Sequence, residues 1–283
     1  MLHLREHAMD YRTAFIASRR TTWLDFCCRS LKNQINDNCV LYLDGPISDK
    51  NISQNLQTYK KNFPQGEVVN LQFENYQPLL AWVFLDNFKN PKSELLLLVE
   101  DDLVFSHNYI EQLRILYDNT KENEDVIAWS CWTRQSLGWP LKKLYDERKR
   151  IVSQHNHIGS MINLATLKDI GQEHFKWYLQ EYNNKGWSNL TKSSVRYMRN
   201  NLNYNHPSAE CGIDAFYIRG IINNAGKLRV STVYNKLVHM GVGSEFDTCT
   251  TTEGWYTTSQ HYKLNYIEDL IEDFEPLDVG SIK

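Results

Sequence analysis

Three adjacent carboxylates, Glu100, Asp101 and Asp102, follow directly after the apolar run of residues 95–99 (LLLLV). Carboxylates at the end of a buried strand repel one another and lose hydration, so a cation or strong hydrogen-bond donors must compensate their charge. Oxygen ligands of this kind suit Mg²⁺ or Mn²⁺, which bind through one or two carboxylates together with phosphate oxygens. The alternative is a solvated acidic turn that opens a helix, because Asp and Glu favour helix N-termini. The triplet alone leaves both interpretations open.

Two further carboxylates, Glu210 and Asp214, stand at the start of an amphipathic helical pattern in residues 208–224 (SAECGIDAFYIRGIINN). If that helix begins beside the end of a sheet, one of these groups can remove a proton from an attacking hydroxyl group. The other interpretation is that the two carboxylates cap the N-terminus of the helix. The residue types do not separate these two roles.

The segments around the triplet alternate between strand and helix patterns. Strands are predicted for residues 13–17, 39–43, 95–99 and 125–131, and helices for residues 18–34 and 77–88. The apolar positions of the first helix are Trp23, Phe26, Cys27 and Leu31. This alternation predicts an α/β fold with a mostly parallel sheet and right-handed crossovers. Ligands of such sheets bind at the carboxyl ends of the strands, where the triplet lies.

The composition is that of an ordinary globular protein. With 283 residues, 42% of them hydrophobic, the chain can form one large α/β domain or two small ones. Its formal net charge of -3 gives no bulk attraction to nucleic acid. Six scattered cysteines without a CxxC spacing argue against a zinc site and a disulfide framework. The N-terminus has no signal-peptide pattern and no apolar run could span a bilayer, so we expect a cytoplasmic protein without a transmembrane segment.

The segment LLLLVEDDLVFSHNYIEQL, followed by DVIAWSCW, resembles the Golgi N-acetylglucosaminyltransferase I family, in which an EDD triplet replaces the DxD motif of GT-A enzymes. FIASRRTTWLDFCCRSL resembles the first strand of those enzymes and of glycosyltransferase family 2, and CVLYLDG resembles their second strand. The resemblance covers about residues 13 to 135. It implies a GT-A, Rossmann-like fold and a metal-dependent glycosyltransferase. The implied donor is a nucleotide-sugar, and a UDP-sugar is the first candidate.

The resemblance also implies roles for individual residues. In the donor site, Ser18, Arg19 and Arg20 lie beside the nucleotide, Asp44 contacts the uracil, Glu100 and Asp101 lie near the ribose and sugar, and Asp102 binds Mn²⁺ or Mg²⁺. We expect no counterpart of the family's Golgi anchor, so its compartment and glycoprotein substrate are not carried over.

The second half of the chain resembles these families more weakly. Residues 155–171 (HNHIGSMINLATLKDIG) resemble a family 2 pattern in which Gly159 and Ser160 let the backbone approach the donor sugar, although an ordinary strand-to-helix turn explains them equally simply. Asp214 resembles the family's catalytic Asp, which implies an inverting reaction, and Glu210 is the substitute candidate for the base. His239 resembles the late His that adds a metal ligand in several GT-A enzymes, although a lone His is more often structural.

These assignments divide a single domain into two halves. Residues 1–135 form the donor half and residues 136–283 the acceptor-binding and catalytic half, whose aromatic residues offer stacking faces to the sugar rings of a glycan acceptor. The aromatic candidates are Trp139, Trp177, Tyr182, Trp187, Trp255 and Tyr256.

Two other functions compete with glycosyl transfer. A sugar nucleotidyltransferase also uses carboxylate-held Mg²⁺, but such enzymes carry a glycine-rich loop after the first strand, and ASRRTTW contains no glycine. A catalytically inactive, carbohydrate-binding relative is the alternative from another functional class.

Overall fold

The computed structural model of the chain describes residues 9–73, 75–133, 139–153, 159–205, 212–239 and 274–277. The strands in these ranges are β1 (Tyr11–Ala17), β2 (Cys39–Asp44), β3 (Glu67–Leu71), β4 (Leu95–Glu100), β5 (Leu103–Phe105), β6 (Val126–Ser130), β7 (Ile151–Ser153), β8 (Met161–Asn163), β9 (Leu228–Thr232) and β10 (Leu237–His239). The helices are α1 (Thr22–Leu31), α2 (Lys50–Asn62), α3 (Tyr76–Lys89), α4 (Tyr109–Asp118), α5 (Leu141–Asp146), α6 (Leu164–Lys185), α7 (Trp187–Asn201) and a π-helix (Ala215–Ile222).

Eight strands form one sheet in the order β3-β2-β1-β4-β8-β6-β9-β7. Neighbouring strands are parallel from β3 through β4 and again between β6 and β9, whereas β8 and β7 run antiparallel to their neighbours. The predicted α/β class with a mostly parallel sheet is therefore confirmed. Strands from both sides of residue 135 share this sheet, so the two predicted halves contribute to one structural layer.

Helices cover both faces of the sheet because its central strands are apolar on both sides. Along β4, Leu95, Leu97 and Val99 pack with α1, α2 and α4, whereas Leu96 and Leu98 pack with α3, α6, α7 and the π-helix. A continuous apolar run is what a parallel strand between two helical layers requires. Within the described ranges, no helix is long and apolar enough to cross a lipid bilayer.

The first helix is shorter than its sequence pattern predicts. It begins at Thr22, so residues 18–21 form a loop at the end of β1 instead of the first helical turn. The buried face of α1 consists of Leu24, Cys27, Cys28 and Leu31. Phe26, one of the apolar positions of the predicted helix, lies outside this face: its side chain is 47% exposed and packs against Trp23.

A second, two-stranded sheet joins distant parts of the chain. Strand β5 follows the acidic triplet and pairs antiparallel with β10, so that Leu103 lies opposite His239. Residues more than 130 positions apart in the sequence thus become neighbours at the carboxyl edge of the main sheet. This pairing positions the histidine beside the triplet.

Candidate functional site

Glu100, Asp102 and His239 form a cluster at the carboxyl end of β4. One potential ligand atom from each residue lies within 4.8 Å of the other two. The Nε2 atom of His239 is 3.2 Å from Oδ2 of Asp102, and the Asp102 side chain is fully buried. Carboxylate and imidazole groups in this arrangement can hold a divalent cation. Sequence reasoning named Asp102 and His239 for this role, and the structure adds Glu100.

Arg20 supplies the positive charge that faces the triplet. Its Nη2 atom is 2.5 Å from Oδ1 of Asp101, and its Nη1 atom contacts Oδ2 of Asp102. The loop that carries Arg20 is held by Asn55 of α2, whose Nδ2 atom donates to the carbonyl oxygens of Ser18 at 2.5 Å and Arg20 at 2.9 Å. The backbone N–H of Ser18 also donates to Asp101, at 3.4 Å. The loop after β1 is therefore tied to the triplet through both backbone and side-chain contacts.

The two arginines of this loop point to different partners. The Nε atom of Arg19 lies 3.1 Å from Oδ2 of Asp49, which also accepts hydrogen bonds from the first N–H groups of α2. Arg20 instead faces the triplet. Sequence reasoning treated the two arginines alike, and only the path of the loop distinguishes them.

Burial and charge act differently on the neighbouring carboxylates. Burial raises the pKa of Asp101 to about 7, with Arg20 opposing it and Asp102 adding to it. Burial also disfavours ionisation of Asp102, but the charges of His239 and Arg20 outweigh it and lower its pKa to about 2. Burial lowers the pKa of His239, and the Asp102 carboxylate outweighs that effect, so the net change is upward. Asp102 is thus the group held ionised at the centre of the cluster.

Two buried polar atoms of the cluster have no hydrogen-bond partner among the residues that the structure describes. They are Oδ1 of Asp102 and Nδ1 of His239. A buried carboxylate oxygen without a donor is costly, and a bound cation would satisfy it. The residues present therefore fit a divalent metal ion, with Asp102 as the central ligand.

Asp214 lies at the start of the π-helix. Its side chain is exposed and makes no capping hydrogen bond to the helix. Burial and the carboxylates of Glu100, Asp214 and Asp102 together raise the pKa of Tyr76 well above its usual value. Tyr76 is therefore within electrostatic range of both the triplet and Asp214.

The start of α3 anchors the segment that carries Asp214. The Oε1 atom of Gln77 accepts a hydrogen bond from the backbone N–H of Ile213. A side chain at Gly212 would meet Gln77 at 3.2 Å, so the glycine permits this close approach. Asn75 caps α3 by accepting from the N–H of Gln77 at 2.9 Å.

Asp44 is buried at the end of β2 and organises this anchor. Its two carboxylate oxygens accept hydrogen bonds from the backbone N–H groups of Phe73 at 2.7 Å and Asn75 at 3.0 Å. Asp44 therefore fixes the loop that leads into α3. The predicted contact between Asp44 and a uracil base stays a prediction.

Gly159 and Ser160 are buried beside the small sheet. Gly159 has a φ of +56°, and a Cβ atom there would lie 2.3 Å from the Leu237 side chain. The backbone oxygen of Ser160 accepts from the N–H of Leu98 at 2.8 Å. Packing thus accounts for the glycine, and the predicted approach of this backbone to a donor sugar remains untested.

Two of the predicted acceptor-stacking aromatics serve helix packing. The ring of Trp177 stacks on Tyr197 at 3.8 Å, and the hydroxyl of Tyr182 donates to the carbonyl of Phe73 at 2.9 Å. Trp139 lies 3.9 Å from the Lys143 ammonium group, and Trp187 is 39% exposed. Glu210, Trp255 and Tyr256 lie outside the described residues.

Sequence reasoning missed Asn55 and the pair formed by Tyr76 and Gln77. Asn55 had a signal, because it shares the buried face of the amphipathic helix α2 with Ile52 and Tyr59, where a polar side chain needs a partner. Tyr76 and Gln77 had no local signal, since the contact of Gln77 with Ile213 joins residues 136 positions apart in the chain.

Neither a protein-family model nor a curated protein sequence matches the chain. Among solved structures, it is similar to the mannosyltransferase PcManGT from Pyrobaculum calidifontis in complex with GDP-Man and Mn²⁺, with 12% identity, a TM-score of 0.40 and coverage of 58% of this chain and 48% of that one. It is also similar to S. aureus TarS 1-349 in complex with UDP-GlcNAc, with 16% identity, a TM-score of 0.39 and coverage of 57% and 47%.

A third similar structure is glucosyl-3-phosphoglycerate synthase from Mycobacterium tuberculosis with Mn²⁺, UDP and phosphoglyceric acid. The identity is 10%, the TM-score is 0.35, and the match covers 63% of this chain and 66% of that one. The chain thus spans about half the length of the first two proteins and just under two thirds of the third. Likenesses this low do not identify an activity, which has to be argued from the residues of the site.

Proposed function

We propose that the chain is a metal-dependent glycosyltransferase of the GT-A type, which moves a sugar from a nucleotide-diphosphate donor to a hydroxyl group of a glycan acceptor. The observation that carries this proposal is the convergence of Glu100, Asp102 and His239 at the carboxyl edge of the sheet, where a buried oxygen of Asp102 has no hydrogen-bond partner among the described residues. Ligands of α/β sheets bind at this edge. A cationic side chain, Arg20, and an exposed carboxylate, Asp214, complete the set of groups that the reaction needs.

The metal ligands in this proposal are Asp102, Glu100 and His239. Mn²⁺ or Mg²⁺ bound there would supply Lewis-acid stabilisation to the departing diphosphate. The buried position of Asp102 keeps its carboxylate in one orientation, because the small sheet holds it against His239. Arg20 adds a positive charge beside the triplet, where the departing diphosphate would carry negative charge.

Asp214 is the proposed general base. Its exposure leaves the carboxylate accessible to an acceptor hydroxyl, and the contact between Gln77 and Ile213 fixes the backbone beside it. A base on this side supports an inverting reaction, in which the acceptor attacks opposite the leaving group. UDP is the proposed nucleotide, with Ser18, Arg19, Arg20 and Asp44 at the end of the sheet that would bind it.

Nucleotide release tests this function directly. The purified chain is incubated with UDP-Glc, UDP-GlcNAc or GDP-Man and a panel of sugar acceptors, in Mn²⁺ or in excess EDTA. We expect acceptor-stimulated release of the nucleoside diphosphate in Mn²⁺ and none in EDTA. The variant Asp102→Asn should lose on the order of a hundredfold or more of this rate. Asp169→Asn, an exposed carboxylate on α6, is the matched control and should retain full activity.

The same assay separates the competing functions. A nucleotidyltransferase would release pyrophosphate from a nucleoside triphosphate and a sugar phosphate, and would leave the nucleotide-sugars intact. An inactive carbohydrate-binding relative would bind a glycan without turnover. Full activity of Asp102→Asn, or of the wild type in EDTA, would contradict the proposed metal site.

A further inference from the structure

The position of Arg20 bears on how a metal ion enters the site. Its guanidinium group contacts both Asp101 and Asp102, and Asp102 is the central ligand of the candidate metal site. Arg20 and His239 converge on the same oxygen of Asp102, Oδ2, and Oδ1 has no partner among the described residues. The residue that neutralises the triplet therefore occupies part of the coordination space of the metal ligand.

Because both are positively charged, Arg20 and a divalent cation compete for the carboxylates of the triplet. A divalent cation beside Asp102 would stand next to the guanidinium group, and two cations in a buried, weakly screened site repel each other strongly. Without a cation, the same guanidinium group stabilises the buried carboxylates of Asp101 and Asp102. Metal and Arg20 thus both bind the triplet favourably, and each weakens the binding of the other.

The Arg20 side chain is able to leave without disturbing the core. It is 25% exposed, whereas the carboxylates of Asp101 and Asp102 are at most 2% exposed. The backbone on either side is fixed independently, because Asn55 holds the carbonyl oxygens of Ser18 and Arg20. Asp101 keeps a hydrogen bond from the N–H of Ser18 when the arginine departs. Only the side chain of Arg20 needs to move.

We propose that Arg20 is an internal substitute for the metal ion, and that it couples metal binding to nucleotide binding by transferring from the triplet to the diphosphate. This inference rests on the proposed function. A diphosphate offers Arg20 an alternative anion in bidentate geometry. When Arg20 moves to it, the positive charge that repels the metal leaves Asp102, so each ligand promotes the binding of the other.

The proposal makes a prediction with opposite signs for a single variant. In Arg20→Ala, Mn²⁺ alone should bind about tenfold more tightly than to the wild type, because the competing charge is gone. UDP in the presence of saturating Mn²⁺ should bind about tenfold more weakly, because the diphosphate loses its arginine. The factor by which Mn²⁺ and UDP enhance each other's affinity should fall accordingly.

Calorimetry and the paramagnetic resonance signal of free Mn²⁺ measure both affinities in the intact chain, without any assay of turnover. Arg20→Lys is the matched control: it keeps the positive charge and should keep the weak binding of Mn²⁺ alone. Arg20→Gln provides a second uncharged variant of similar size, in case Arg20→Ala does not fold. A melting curve on each variant, in EDTA and in Mn²⁺, should show a larger stabilisation by Mn²⁺ in the uncharged variants than in the wild type.

The outcomes are distinct. If the uncharged variants bind Mn²⁺ with unchanged or lower affinity than the wild type, Arg20 does not compete with the metal and the proposal is overturned. If they bind Mn²⁺ more tightly but UDP affinity is unaffected, the transfer to the diphosphate is wrong. If the wild type binds Mn²⁺ and UDP cooperatively through Arg20 yet transfers no sugar, the coupling stands and the proposed enzymatic function fails.

Discussion

The carboxyl edge of the sheet and the aromatic layer on one of its faces contain side chains with opposite effects on folding. At the edge, three consecutive carboxylates are crowded around one arginine and one histidine, and a buried oxygen of Asp102 has no partner among the described residues. In the layer formed by α3, α6 and the π-helix, Phe84, Phe175 and Tyr217 pack ring against ring, at centroid distances of 4.8 to 5.9 Å.

The aromatic residues of the layer favour folding, whereas the charged residues of the edge are only tolerated by the folded state. Burial of aromatic rings stabilises the chain directly, whereas buried like charges oppose folding unless a ligand compensates them. Sites of this second kind are where function conflicts with stability. Changes at the edge should therefore alter binding and rate, and changes in the layer should alter the free energy of unfolding.

The largest effect on rate is expected from Asp214→Asn. General-base catalysis typically contributes about a hundred- to ten-thousand-fold, so sugar transfer should fall by that factor. Because Asp214 is exposed and makes no capping bond, the melting temperature and the affinity for metal and donor should remain close to those of the wild type. Kinetics, calorimetry and a melting curve on one preparation test this, with Asp169→Asn as the control. A variant with full rate would leave Asp214 without a catalytic role.

Phe175→Ala should lower the free energy of unfolding by an amount comparable to the activation free energy that Asp214→Asn adds to sugar transfer. The side chain is fully buried between Phe84, Phe88 and Tyr217, and deletion of such a ring typically costs about 3–5 kcal/mol. Urea denaturation measures the loss. The exposed Trp187→Ala should change stability by no more than about 0.5 kcal/mol. If Phe175→Ala unfolded at nearly the same urea concentration as the wild type, the aromatic layer would not be the stabilising region.

Smaller effects with opposite pH dependence are expected from the titratable groups of the two regions. Burial raises the pKa of Asp101 to about 7, so the folded state holds a proton that the unfolded state releases near pH 4. Asp101 should therefore reduce stability increasingly as the pH rises from about 4 to about 7. In metal-free buffer, Asp101→Asn should remove this trend.

His174 in the aromatic layer should show the reverse trend. Burial lowers the pKa of His174, whose Nδ1 atom lies 2.9 Å from the Tyr197 hydroxyl. The unfolded chain then binds a proton before the folded chain does, so this contribution to stability declines as the pH falls below about 6.5. His174→Gln should remove the loss of stability as the pH falls below about 6.5, and Asp101→Asn should remove the loss of stability as the pH rises from about 4 to about 7. Identical profiles for both variants and the wild type would contradict the contrast between the regions.

Much of the fold could be predicted because its signals are local. The apolar runs of β1, β2, β4 and β6 and the turn residues after them specify a parallel sheet with an acidic triplet at its edge. The predicted start of α1 was less accurate. The arginines after β1 are compatible with a helix, and only the contact of Asn55 with that loop shows that they are not helical. Phe26 fits the apolar pattern of α1 but is exposed, because the buried face of the helix depends on the direction from which the helix meets the sheet.

By itself, the sequence determined the residue types of the site and the strand end on which the triplet stands, because both depend on consecutive residues. Only the tertiary structure decided which groups meet. The pairing of β5 with β10 brings His239 to Asp102, and the contact of Gln77 with Ile213 fixes the segment of Asp214 near Tyr76. These contacts join positions separated by more than a hundred residues. No local pattern encodes such a distance, because it follows from the packing of the whole sheet and its helices.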